Sequence, residues 1–197
     1  MLHRFSKSLE LERQQAASAD SFYTKVLGAR QVIRYASESA QDMAMQRLDI
    51  DVTIKVGERI FQISEKFRTR DFDDLYLEVY SKYPPILGWM DTGSPQVLVY
   101  FTPSKVHWIA HKELKDFYLL HLKPALDEKW FASLYNSNDS IVSHKLKLDS
   151  ITTHIRIIQA HNFENKAWVT MGVGIDIDVL EKFGVKIRSF TRTTSFV

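Results

Sequence analysis

Alternation of polar and apolar residues is strongest in one stretch within the first half of the chain. From Asp49 to Val56, acids, threonine and lysine occupy one face and isoleucine and valine the other, which is the period-two pattern of a half-buried strand. Gly57 and Glu58 supply a tight turn, and the alternation resumes from Arg59. The pattern predicts a β-hairpin in which Val56 pairs with Arg59.

The rest of the chain alternates between helical and strand patterns. Helices are predicted over 8–28, 37–48, 111–126 and 176–184. Gly28, Pro124 and Gly184 are expected to end the first, third and fourth of these. The second is expected to be capped by Ser37 or Ser39, with Met43 and Leu48 facing inward. Further strands are predicted over 29–36, 74–81, 96–101, 105–110, 151–160 and 167–175, and loops over 83–95 and 135–150. This order predicts an α/β (α+β) fold, with a mixed central β-sheet flanked by helices over 1–130 and a β/α extension over 131–197 packed on the same domain.

Composition narrows the class of protein. The chain has 197 residues, 45% of them hydrophobic, which is enough for a sizeable core. The sequence has no cysteine, which excludes disulfides and thiolate metal sites and suits a reducing compartment, so a cytoplasmic location is expected. No apolar run approaches the length of a membrane span, and the charged N-terminus does not resemble a signal peptide. The formal charge of +2 is too small to indicate nucleic-acid binding by itself.

The predicted hairpin brings acids next to a lysine. If Val56 pairs with Arg59, Asp51 lies opposite Ser64 and Asp49 lies opposite Lys66 on the polar face. Carboxylates beside a lysine suit metal-dependent phosphodiester cleavage, because hard oxygen ligands hold Mg²⁺ or Mn²⁺ and the lysine orients water or offsets charge on the phosphate. The structural alternative is a solvated strand face with incidental Asp–Lys pairs.

The stretches "QRLDIDVTI", "FQISEKFRTRDFDDLYLEV", "GWM", "VLVYF" and "VHWIAHKELKDF" resemble a phage- or mobile-element-type branch of the PD-(D/E)xK nuclease superfamily. The resemblance covers about Phe22 to Leu120. It implies a restriction-endonuclease-like fold and a divalent-metal-dependent DNA endonuclease, with Asp51 as the metal-binding acid and Lys66 as the catalytic lysine.

The chain departs from the superfamily pattern at Ser64, which stands where a second acid is expected. Glu65 is adjacent, but regular alternation points it towards the opposite face unless a bulge turns it round. Glu78, on the next predicted strand, is the other option. The candidate catalytic set is therefore Asp51, Glu65, Lys66 and Glu78, with the three acids as Mg²⁺ or Mn²⁺ ligands and Glu65 narrowly favoured. Ser64 also keeps open a non-catalytic nuclease-fold module that binds DNA or another protein.

Polar residues near this set are candidates for DNA binding. Arg68, Arg70 and Lys82 are expected to contact phosphates, and Gln46 is expected to contact a phosphate or the water around the metal. An ordinary helix-capping or surface glutamine is the alternative for Gln46. The expected partner is DNA and not a membrane, and homodimerisation is left open.

Overall fold

The computed structural model describes residues 2–4, 15–36, 39–163 and 166–192, and only the backbone of 2–4. The helices are α1 (15–21), continued by a π-helical turn Phe22–Val26, α2 (Ala40–Arg47), α3 (Trp89–Thr92), α4 (His111–Phe117), continued by a π-helical turn Tyr118–Leu122, α5 (Lys123–Ala125), α6 (Glu128–Tyr135) and α7 (Ile177–Lys182). The strands are β1 (Leu2–Arg4), β2 (Ala29–Arg34), β3 (Val52–Val56), β4 (Arg59–Phe67), β5 (Asp74–Lys82), β6 (Ile86–Leu87), β7 (Val97–Phe101), β8 (Lys105–Ala110), β9 (Ile141–Leu148), β10 (Ile151–Phe163), β11 (Ala167–Asp176) and β12 (Ile187–Thr191).

These elements form two compact units. The first unit holds the described residues of 8–72, 92–112 and 186–197, and the second holds those of 1–7, 73–91 and 113–185. Each unit is built on a six-stranded mixed sheet. The predicted α+β class is confirmed, although the prediction was of one mixed central sheet and the structure has two. The chain passes between the units more than once, so the units do not divide at residue 130.

The first unit has the strand order β12-β8-β7-β4-β3-β2, in which only β4 and β7 are parallel. Phe22 and Tyr23, from the turn that ends α1, are buried against the inner face of this sheet. Their neighbours there include Val52, Ile63 and Phe101. The opposite face carries the alternate residues of each strand, including the polar face predicted for the hairpin.

The second unit has the order β1-β10-β11-β5-β6, with β9 also paired to β10. The helix α6 packs on this sheet through buried Phe131 and Leu134, and the side chain of Gln159 on β10 donates to the carbonyl of Leu134 (2.9 Å). No helix in the described part of the chain is long and apolar enough to cross a membrane.

Several local predictions are confirmed and several are wrong. Ser39 caps α2 by accepting from the amide of Asp42 (3.0 Å), whereas Ser37 and residues 8–14 lie outside the described residues. Met43 and Leu48 are 46% and 43% exposed rather than buried. Pro124 lies inside the short helix α5 instead of ending the preceding helix.

The two predicted loops also contain regular structure. Residues 83–95 include β6 and α3, and residues 135–150 include β9. In β9 the even-numbered residues, such as Leu146 and Leu148, are the more buried ones, while Lys145 and Lys147 face solvent. The segment therefore alternates with the period of a strand although its composition is polar.

Candidate active site

The site begins where α2 ends, at a residue with unusual backbone geometry. Asp49 has φ +57°, and its amide donates to the carbonyl of Gln46 (2.9 Å) while the amide of Ile50 donates to that of Met45 (3.0 Å). This is the Schellman arrangement, which usually places glycine at the left-handed position. An aspartate in this backbone conformation costs roughly 1 kcal/mol relative to glycine. Residues in such conformations cluster at functional sites, so the contacts of the Asp49 side chain are of interest.

The side chain of Asp49 receives two donors from β4. Lys66 Nζ lies 2.9 Å from Oδ1, and Ser64 Oγ donates to Oδ2 at 2.7 Å. The side chains of Asp49 and Lys66 are 19% and 23% exposed, so this contact is shielded from solvent without being sealed from it. The predicted juxtaposition of Asp49 and Lys66 is therefore confirmed.

Asp51 lies beside this pair, just before β3. Its Oδ2 accepts the backbone N–H of Glu65 (2.7 Å) and lies 3.4 Å from Ser64 Oγ. One serine hydroxyl is thus within hydrogen-bonding distance of both carboxylates, which makes Asp49 and Asp51 neighbours. Burial raises the pKa of Asp51, and the negative charge of Asp49 adds to the rise although Lys66 opposes it.

The lysine of the cluster is held in its charged form. Burial alone favours neutral Lys66, but the charges of Asp49 and Asp51 outweigh it and raise the pKa of Lys66 well above its usual range. With both aspartates ionised, the three side chains carry a net charge of −1. A partly buried site with surplus negative charge attracts a cation.

Glu65 does not join this cluster. Its Oε1 accepts from the hydroxyl of Tyr23 (2.8 Å), and Arg34 donates to both carboxylate oxygens at 2.6 and 3.1 Å. The pairings of β4 with β3 and β7 continue without a bulge through residues 59–67. Regular alternation therefore leaves Glu65 on the inner face with Ile63, so the prediction that it turns towards Asp51 is wrong.

The network around Glu65 has its own structural role. Arg34 also donates to Asp20 Oδ1 (2.9 Å) and to the carbonyl of Ala16 (3.2 Å), so it ties α1 to the edge strand and to β4. Burial raises the pKa of Glu65, and the hydrogen bonds from Arg34 and Tyr23 counter that rise. The guanidinium of Arg34 thus balances the charge of the buried Glu65 carboxylate.

Glu78 lies in the second unit, on β5. Its Oε1 is 3.4 Å from the backbone nitrogen of Trp89, and a Cβ at Gly88 would lie 2.5 Å from the carbonyl oxygen of Glu78. Glu78 is therefore packed closely against the Gly88–Trp89 backbone, and its predicted role as a metal ligand stays a prediction.

The predicted DNA-binding residues have different surroundings. Gln46 donates to the carbonyl of Tyr35 (2.7 Å), which joins α2 to the end of β2 and favours the structural interpretation of this glutamine. Arg70 is exposed in the segment after β4, and Arg68 lies over the rings of Phe72 and Tyr100 at 5.2 and 5.4 Å. Lys82 is exposed at the end of β5 in the second unit.

The set predicted from sequence omitted Asp49 as a functional residue. The signal was present, because the predicted register already placed Asp49 opposite Lys66. Ser64, treated as a missing acid, instead connects the two aspartates. Asp49, Asp51, Ser64 and Lys66 are thus the residues that the first unit brings together.

Comparison of the chain with family models, curated proteins and solved structures finds no match. The resemblance to the PD-(D/E)xK superfamily therefore stays a prediction, and function has to be inferred from the cluster itself.

Proposed function

We propose that the chain is a divalent-metal-dependent DNA endonuclease whose site consists of Asp49, Asp51, Ser64 and Lys66. The observation that carries the proposal is the pair of neighbouring aspartates with a charged lysine on one partly exposed sheet face. Asp49 replaces Glu65 as the second acid that phosphodiester cleavage requires. DNA as the substrate rests on the sequence resemblance and on the cations that follow β4.

The donor set fits Mg²⁺ or Mn²⁺. Both acids offer hard oxygen ligands, and Mg²⁺ is commonly held by one or two carboxylates with water completing its shell. Among the described residues no three histidine, aspartate or glutamate side chains group into a metal site, so Asp49 and Asp51 would hold the ion as a pair. When bound, the ion would supply Lewis-acid chemistry that activates water and offsets charge on the phosphate.

The protein's own residues would hold the two acids in place and stabilise charge on the phosphate. Asp51 is fixed by the backbone N–H of Glu65, and Asp49 is fixed by the Ser64 hydroxyl. Lys66 stays protonated at neutral pH, so it would stabilise negative charge that develops on the phosphate and would not serve as a general base.

The raised pKa of Lys66 also argues against a serine nucleophile. A Ser–Lys hydrolase needs a neutral lysine that takes the proton of the serine hydroxyl. Here Lys66 is charged, and Ser64 is fully buried and donates to Asp49. Acyl transfer through Ser64 is therefore disfavoured.

A non-catalytic module is the second candidate, and one observation favours it. Asp49 is already satisfied by Lys66 and Ser64, and Asp51 by the amide of Glu65. A polar cluster whose members satisfy one another can persist without metal. Such a protein would bind DNA or another protein without cleaving it.

Nicking of supercoiled plasmid separates the two candidates. The parent protein with Mg²⁺ or Mn²⁺ should convert supercoiled DNA to nicked or linear forms, and Ca²⁺ should allow binding without turnover because it activates water poorly. Asp51→Asn should abolish cleavage, because asparagine lacks the negative charge of the metal ligand. Asparagine still has a side-chain oxygen that can accept the backbone N–H of Glu65. Glu58→Gln, at an exposed turn of the same hairpin, is the matched control. Equal cleavage by parent and Asp51→Asn would contradict the proposal.

A further inference from the structure

The segment that follows β4 carries cations and is held by one acid. Residues 67–72 read Phe-Arg-Thr-Arg-Asp-Phe, and residues 101–106 read Phe-Thr-Pro-Ser-Lys-Val. Asp71 is the only acid in these two stretches, against Arg68, Arg70 and Lys105. Both stretches belong to the first unit.

Asp71 binds the β7–β8 turn through a single oxygen. Its Oδ1 accepts from the Thr102 hydroxyl (2.6 Å), the Ser104 amide (3.0 Å) and the Ser104 hydroxyl (2.8 Å). Thr102 is itself buried and its hydroxyl accepts from the amide of Lys105 (3.0 Å). A solvent-exposed aspartate thus joins the two stretches through its side chain. The 102–104 turn is also held by Arg192, whose guanidinium donates to the carbonyl of Thr102 (2.8 Å).

The two arginines are presented differently by this connection. Arg68 continues the pairing of β4 with β7, since its amide donates to the carbonyl of Phe101 (2.8 Å), and its guanidinium contacts the ring of Tyr100, the cross-strand neighbour of Lys66. Arg68 therefore lies on the same sheet face as Lys66. Arg70 and Lys105 are exposed, and the three cations of the two stretches outnumber their single acid, Asp71.

We propose that Asp71 is a positioning residue, and that it fastens residues 68–72 to the 102–104 turn so that Arg68, Arg70 and Lys105 form a surface for the DNA phosphate backbone. The proposal rests on the proposed function and specifies how its substrate is held. DNA is the occupant because three cations against one acid leave these two stretches with surplus positive charge, and because Arg68 lies on the sheet face that carries Lys66. Contacts of this type bind backbone and do not read sequence.

Two variants with the same charge change separate positioning from simple electrostatics. Asp71→Asn and Asp71→Ala each remove one negative charge, which by itself strengthens attraction to DNA. Asparagine retains Oδ1, the atom that accepts all three hydrogen bonds, whereas alanine loses it. Positioning therefore predicts that Asp71→Ala binds DNA roughly five- to tenfold more weakly than Asp71→Asn, because the arginines must be ordered on binding.

Binding of the full chain to a labelled DNA duplex should be measured over a range of salt concentrations in Ca²⁺, so that cleavage does not interfere. Limited digestion with trypsin supplies a readout that does not depend on DNA, because trypsin cuts after Arg68 and Arg70. Asp71→Ala should be cut faster there than the parent protein, and Asp71→Asn should resemble the parent.

The outcomes distinguish this proposal from the proposed function. A parent protein that binds DNA, together with variants that bind equally well or with Asp71→Ala as the tighter binder, would overturn the positioning role alone. Unchanged trypsin cleavage in Asp71→Ala would also overturn it. A parent protein that does not bind DNA at any salt concentration would instead contradict the proposed function.

Discussion

Glu65→Gln is expected to destabilise the first unit without changing metal binding. The substitution keeps the size of the side chain but removes the charge that Arg34 contacts at 2.6 Å. Removing one partner of a buried ion pair costs about 3–5 kcal/mol. The Arg34 side chain is 28% exposed and keeps its contact with Asp20, so a loss of about 2–3 kcal/mol in the free energy of unfolding is expected. For a chain of this size that corresponds to a fall of roughly 5–10 °C in Tm.

Thermal unfolding followed by circular dichroism measures this effect, and hydrogen exchange in β4 shows whether it arises in the first unit. Glu58→Gln is the control, because the Glu58 side chain is 89% exposed and should change stability by less than about 0.5 kcal/mol. Mn²⁺ affinity of Glu65→Gln should equal that of the parent protein below Tm. An unchanged Tm combined with lost Mn²⁺ binding would instead show that Glu65 is a metal ligand.

Three further predictions test individual contacts. Asp49→Asn should be about 1–2 kcal/mol more stable than Asp49→Ala in chemical denaturation, since asparagine tolerates φ +57° and can still accept from Ser64; equal stabilities would contradict this. Gly172→Ala should destabilise the second unit by more than about 2 kcal/mol, because a Cβ would lie 2.4 Å from the carbonyl oxygen of Leu77, whereas an unchanged Tm would show that β5 and β11 can separate. Hydrogen bonds from Thr102 and Ser104, with Lys105 nearby, lower the pKa of Asp71. The connection should therefore persist through the usual aspartate range near pH 4 and be lost only as pH falls through the lowered pKa, which the chemical shift of the Ser104 amide would report; loss at or above the usual range would contradict it.

The local part of the fold could be read from sequence because it depends on neighbouring residues. Period-two alternation and the turn at Gly57 fixed the register Val56–Arg59, and that register brought Asp49 to Lys66. The same alternation correctly placed Glu65 on the inner face. The expectation of a bulge assumed that a glutamate on the inner face would be unpaired and costly to bury, whereas Arg34 and Tyr23 supply its partners there.

The remaining errors concern long-range packing. Whether Asp74–Lys82 joins the sheet of the hairpin or another sheet depends on β11, nearly a hundred residues away, with which it pairs, and alternation in either strand carries no information about its partner. Met43 and Leu48 were expected to be buried because helices usually bury apolar residues, but nothing in their spacing shows that α2 packs only lightly. The left-handed geometry of Asp49 was also not predictable, since glycine is the residue that normally signals it.

Calorimetric titration with Mn²⁺ measures whether Asp49 and Asp51 together hold a metal ion. The parent protein should bind one ion. Loss of a residue that only hydrogen-bonds to a metal ligand weakens metal binding by roughly 10–100-fold. Asp49→Asn and Asp51→Asn each change a ligand itself, so each should weaken Mn²⁺ binding by more than that. Glu58→Gln should bind as the parent does. If Asp49→Asn and Asp51→Asn bind Mn²⁺ as tightly as the parent protein does, the two aspartates are not a metal site.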